Sequence, residues 1–180
     1  MVPARPTLTH RTLLRTRFLS RNVVLVKRVL CYVFCSILFS GCARLPALTP
    51  AILEQAEQKW AMHKPGEYRL VIEMFGDRVE TGRFEVVVHA GQVINIRRNG
   101  LTLPPERGQD YSMEGLFRVL EQELGLAEKP SMLGAPEGYT IYTAAKFDEN
   151  TGRLVHYRRI VGGASNSIDI NVLEHEENPK

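Results

Sequence analysis

Tyr68-Arg69-Leu70-Val71-Ile72-Glu73-Met74 and, after a Gly76–Gly82 turn, Phe84-Glu85-Val86-Val87-Val88-His89-Ala90-Gly91-Gln92-Val93 decide the fold. Tyr68, Leu70, Ile72 and Met74 recur at every second residue, and so do Phe84, Val86 and Val88. That period sends one face of a strand into a core and the other to water. Ala90-Gly91 turns the chain into a third strand over Gln92–Arg97. Connections this short make the three strands an antiparallel meander.

Upstream lies a helix. Thr49 can cap it, Pro50 suits its first position, and Leu53, Ala56, Trp60 and His63 share one face until Pro65. Downstream, Leu101 to Asp110 reads as a loop with Pro104-Pro105 in it. Ser112 caps a second helix in which Met113, Leu116, Phe117, Leu120 and Leu124 follow helical spacing, with Gly125 as its close. Residues 126–137 form an irregular connection rich in Pro and Gly. Then Tyr139, Ile141, Thr143, Ala145 and Phe147 alternate along a strand. Asp148–Gly152 turns the chain, Leu154–Val161 returns, Gly162–Ser167 turns again and Ile168–Leu173 runs out. The expected order is αβββαβββ: an α+β, two-layer, single domain over residues 50–174, built of antiparallel meanders each preceded by a helix. Residues 175–180 are expected to be a disordered, charged tail. How the two meanders meet does not follow from the pattern.

The first 41 residues are of another kind. Residues 1–28 carry Arg5, Arg11, Arg15, Arg17, Arg21, Lys27 and Arg28 without one Asp or Glu, and Val29 to Ser40 form an apolar stretch of 12 residues. A bilayer needs ~20 apolar residues to span it, so a cleaved export signal fits better than a permanent transmembrane helix. Leu38-Phe39-Ser40-Gly41-Cys42 resembles a bacterial lipobox, with Phe39 where that motif usually has Leu. The resemblance implies cleavage after Gly41, acylation of Cys42 and a lipidated tether over 42–49. Ala43 stands where Asp marks inner-membrane retention in such lipoproteins, which implies the outer membrane. A start near Val23 to Leu25 would give the leader an ordinary length, leaving residues 1–22 outside the protein. A mitochondrial transit peptide, Arg-rich and acid-free, is the rival reading.

Cysteine and charge agree with export. Cys31, Cys35 and Cys42 all lie at or before the junction, so the remaining chain has no internal disulfide and no Cys-ligated zinc site. The whole chain is +3, but the leader holds seven of its 23 Lys and Arg. The other 139 residues therefore carry 16 basic and 20 acidic groups, a net −4. A mildly acidic domain lacks the clustered basic face that nucleic-acid binding requires.

Trp60, Pro65 and Tyr68, the run Val86-Val87-Val88-His89-Ala90-Gly91-Gln92-Val93, Leu116-Phe117, and Phe147-Asp148 with Gly152 resemble a family of small secreted bacterial proteins and lipoproteins known only as a domain of unknown function. The resemblance covers about residues 52–173. Family members often have Gly-Tyr-Pro at the late turn, where this chain has Gly152-Arg153-Leu154. It implies compartment and fold and leaves function open.

Chemistry-bearing motifs are few. His63, His89, His156 and His175 form none of the spacings of zinc sites, so no metal is expected. Asp148–Gly152 holds carboxylates and a glycine, but at the wrong spacing for an EF-hand, and reads as a hairpin turn. Neither a nucleophile elbow nor a cofactor motif occurs around Ser112, Ser131, Ser165 or Ser167. No catalytic residue and no cofactor is therefore named. Arg97-Arg98 and Arg158-Arg159 each turn one side chain outward, and Arg97 and Arg158 would share a basic patch if the meanders adjoin. Tyr142 and Tyr157 fall on the parity opposite their strands' core residues and are expected at the surface, where exposed tyrosines suit binding. Three functions stay open: a non-catalytic binding or accessory module on a Cys42 anchor, an inhibitor or chaperone of a secreted enzyme, and a hydrolase of envelope polymers using unpatterned Asp or Glu residues.

Overall fold

A computed structural model describes residues 45–77, 80–104 and 110–179, so the leader, Gly41 and Cys42 lie outside the described residues. Helix α1 spans Pro50–His63. Thr49 Oγ1 accepts from Ile52 N at 3.3 Å and so satisfies one amide of its first turn. Strands β1 (Glu67–Gly76), β2 (Gly82–His89) and β3 (Gln92–Arg98) form the expected first meander. A two-residue strand β4, Leu101–Thr102, then pairs with the end of β3 inside the segment expected to be loop. The order is thus helix, four strands, helix, three strands. Helix α2 runs Met113–Ala127, capped by Ser112 Oγ accepting from Gly115 N at 3.0 Å. It passes through Gly125 rather than ending there, because that glycine keeps an ordinary helical backbone. A 3₁₀ turn at Pro130–Leu133 leads to β5 (Ile141–Phe147), β6 (Leu154–Val161) and β7 (Ile168–Glu177).

All seven strands join one antiparallel sheet in the order β4-β3-β2-β1-β7-β6-β5. The first strand of one meander and the last of the other, each ten residues long, meet at its centre. The halves are therefore not repeats of each other: α1 is followed by the innermost strand of its half, α2 by the outermost.

Both helices cover the same face. Leu53, Ala56 and Trp60 of α1, and Met113, Leu116, Phe117 and Leu120 of α2, form one core with Tyr68, Leu70, Ile72, Phe84, Val86 and Ile170. Burying such side chains stabilises the fold by roughly 1.5–3 kcal/mol each. A close approach locks α1 onto the late hairpin. Gly152 has φ +76°, and a Cβ there would run into the carbonyl of Ala56 and the Lys59 side chain. Lys59 Nζ donates to the Glu149 carbonyl at 3.0 Å at the same place.

Three β-bulges explain where alternation fails. Each adds one residue to one strand and inverts the inward parity beyond it. Ile94 is extra on β3, since Val87 faces Asn95 while Val88 faces Val93. Val155 is extra on β6, since Phe147 faces Leu154 while Lys146 faces His156. Leu173 is extra on β7, since Ile72 faces Val172 while Val71 faces Glu174. Tyr157 is consequently turned into the core and fully buried, contrary to its expected exposure. His175 is also turned inward, so residues 175–177 of the predicted disordered tail are instead the end of a central strand. Tyr139, expected inside, is exposed.

Candidate functional site

With both helices on one face, the alternate side chains of the strands form a helix-free face. Its larger part is a lattice of opposite charges on β3, β2, β1 and β7. Arg69 Nη1 lies 3.1 Å from Glu174 and 3.5 Å from Glu176, and its other terminal nitrogen 3.9 Å from Glu85. Arg83 reaches Glu174 at 3.2 Å and Arg97 reaches Glu85 at 3.8 Å. Each exposed pair contributes less than about 1 kcal/mol. Their stems, however, bury Val71 on this face completely. The second part lies on β6 and β7, where Asp169 accepts from Arg158 at 2.6 Å and from Asn171 at 2.7 Å and contacts His156 at 2.9 Å.

Arg97 and Arg158 therefore do not share a patch. The meanders do adjoin, through β1 and β7, but β3 and β6 are then four strand spacings apart, roughly 19 Å. Each arginine is also engaged by an acid of the neighbouring strand. Tyr142 is exposed as expected, and its hydroxyl has a partner: it donates to the Leu45 carbonyl at 3.2 Å.

That bond belongs to a feature the sequence does not announce. Residues 46–48, ahead of α1, pair with the open edge of β5 through an isolated β-bridge. Leu48 N donates to the Thr143 carbonyl at 2.9 Å, and Ala145 N donates to the Pro46 carbonyl at 3.0 Å around an antiparallel Ala47–Ala144 bridge. Leu48 is buried in the core. The segment covers an edge that would otherwise expose unpaired amides and carbonyls.

Under α2 lies a buried ion pair. Arg159 has no exposed surface and bonds Glu123 of α2 through Nη1 and Asn166 Oδ1 at 2.7 Å through Nη2, while its Nε has no partner among the described residues. Asn166 Nδ2 donates onward to the Leu133 carbonyl at 2.8 Å, and the Tyr157 hydroxyl to Glu123 at 3.4 Å. Burial, and then the neighbouring Glu123 carboxylate, push the Tyr157 hydroxyl far above its ordinary pKa. One signal could have found this pair. Glu123 stands three residues after Leu120 and seven after Leu116, on the apolar stripe of α2, where an acid requires a partner.

The remaining cluster joins α1, α2 and the sheet. The Tyr68 hydroxyl donates to Glu114 at 2.7 Å and accepts from Met113 N at 3.2 Å, and Lys64 reaches Glu114 at 3.3 Å. Burial acts to raise the Glu114 pKa, but hydrogen bonds led by Tyr68 outweigh it and hold the carboxyl low. Burial drives the Tyr68 hydroxyl well above its ordinary range. A general acid or base works best with a pKa near the working pH, and these two are moved away from it. The group is a latch between layers. Trp60 stands edge-on to Tyr68 at 5.6 Å and to His175 at 5.7 Å, and burial lowers the His175 pKa. A shallow depression of about 200 Å³ beside it is lined by Glu57, Trp60, Lys64, Glu114 and Phe117.

Among the described residues no helix is long and apolar enough to cross a membrane, and no three His, Cys, Asp or Glu side chains gather as metal ligands. Comparison with protein-family models gives no match, and comparison with curated proteins gives none either.

Proposed function

We propose that the chain is a lipid-anchored, non-catalytic module of the bacterial cell envelope, which binds a protein or envelope component through the helix-free face of its sheet. The observation that carries this reading is the pairing of Pro46–Leu48 with the β5 edge. A segment leading from the acylated Cys42 needs a fixed point of departure if the domain is to offer one face consistently. Tyr142, holding the Leu45 carbonyl, supplies the last such point among the described residues. The lattice around Arg69, with Arg97 and Glu85 at its rim, offers charges of both signs for an interface whose partner complements them. Membership in the secreted family of unknown function, and outer rather than inner membrane sorting, belong to this proposal. A secreted enzyme inhibited or chaperoned by this face is one form the partner can take.

Three variants test it. Cys42→Ser is expected to release the domain from membranes into the soluble envelope fraction; persistence in the membrane in unprocessed form contradicts the lipid anchor. A photo-crosslinking residue at Arg97 is expected to give a discrete adduct in the native host, and one at Glu54 of α1 none. Adducts from position 54 alone would move the binding surface to the helix layer.

A further inference from the structure

Tyr142 and Ile160 are direct cross-strand partners on the helix-free face, at the outer corner of the sheet. They are 48% and 46% exposed, an aromatic and an aliphatic side chain together in water. At the same end of the β5–β6 pair, Tyr139 is 54% exposed. Its ring stands over the following turn, where a Cβ on Gly162 or Gly163 would lie 3.0 or 3.3 Å from its Cδ1. Elsewhere on this face charged pairs gather around Arg69 and Asp169, although Phe75 of β1 is exposed there too.

The chain's own course says what covers it. The Tyr142 hydroxyl holds the Leu45 carbonyl, so the chain at Leu45 passes beside this ring. Cys42 is three residues before Leu45, at most about 10–11 Å of extended chain. Whatever surface receives acyl chains on Cys42 is therefore within that distance of the corner.

We infer that Tyr142, Ile160 and Tyr139 form a membrane-contact corner that rests in the headgroup region of the bilayer holding the Cys42 anchor. The inference rests on the lipid-anchor reading. Tyrosine suits such a place, since its ring is apolar and its hydroxyl stays wet. Lys146 is exposed on the same face of β5, two pleats inward along the strand in the alternation Tyr142, Ala144, Lys146, and offers an ammonium to lipid phosphate. The contact fixes the tilt of the domain, with β5 toward the bilayer and the β3–β4 edge farthest from it.

The test uses the full-length acylated protein in phosphatidylethanolamine–phosphatidylglycerol vesicles. Beyond Cys42 the mature chain has no cysteine, so single labels can be placed by Ile160→Cys, Tyr139→Cys and, on the exposed surface of α1, Met62→Cys. With an environment-sensitive dye and doxyl lipids labelled near the headgroup, emission from positions 160 and 139 is expected to be blue-shifted and quenched at least threefold more than emission from position 62. Intact mass and vesicle flotation are read on the same samples. Acylated, floating protein whose three labels behave alike overturns the corner contact and leaves the anchor standing. Protein without an acyl mass increment overturns the anchor, and the corner with it.

Discussion

Two Arg-Arg pairs sit on strands one place in from the two edges of the sheet, and their fates are opposite. In Arg97-Arg98 on β3, Arg98 stays partly exposed. Its guanidinium lies 5.7 Å over the Phe84 ring, and its terminal nitrogen donates to the Thr81 carbonyl at 2.7 Å. In Arg158-Arg159 on β6, Arg159 is sealed under α2 against Glu123. The dipeptide is the same and the strand position comparable. The difference lies in what lies above: α2 packs against β5 and β6, while Phe84 beside Arg98 is stacked by Tyr111 at 4.5 Å. A charge tolerates burial only with a partner brought by the covering element. The apolar stripe of α2 supplies one.

The largest effect that can break this contrast is Glu123→Ala. It leaves Arg159 buried without its counter-ion and is expected to cost about 3–5 kcal/mol in urea unfolding. Glu123→Leu with Arg159→Met, which removes both charges, is expected to recover most of that. Arg98→Ala is expected to cost less than about 1 kcal/mol. Equal costs for Glu123→Ala and Arg98→Ala would mean that Arg159 is solvated and the contrast false.

Gly152→Ala comes next. It forces a side chain onto the Ala56 carbonyl at a positive φ, so α1 must lift from the hairpin, at roughly 1–3 kcal/mol. A loss below that range would show that α1 is not locked there.

The inward turn of His175 sharpens the comparison of the two strand ends through pH. Burial holds its folded pKa below the ordinary value of 6.5, so the unfolded chain binds the proton more readily. Stability from this residue is complete above pH 6.5 and is lost as pH falls toward the depressed folded value. His175→Phe is expected to flatten the unfolding midpoint between pH 7.5 and 5.5, and an unchanged slope would argue against the buried ring. The smallest effect is that of Tyr142→Phe. It removes one bond to the Leu45 carbonyl, costs on the order of 0.5 kcal/mol, and should speed amide exchange at Leu48 and Ala145 while leaving β1 unchanged.

Much of this fold is written in the alternation of β1 and β2 and in the Thr49 and Ser112 caps, where the residue pattern and local backbone geometry agree. Failures cluster at the three bulges. An inserted Val155 or Leu173 looks like any strand residue, yet it reverses the facing of Tyr157 and of His175. Pairing decides a bulge: Leu173 bulges against β1, some hundred residues away, while Ile94 and Val155 bulge against the neighbouring strand of their own hairpin. The pairing at Pro46–Leu48 was hidden because Pro and Ala carry no period of two and the partner, β5, is distant in the sequence. Of the candidate surface residues, Tyr142 was legible because β5 lacks a bulge before it, whereas the separation of Arg97 from Arg158 needed the strand order.

Intact-mass spectrometry of the protein extracted from its native membrane tests the anchor most directly. Residues 42–180 carrying a diacylglyceryl group on Cys42 is the expected result. Residues 1–41 still attached, with no fatty acyl increment, would contradict it.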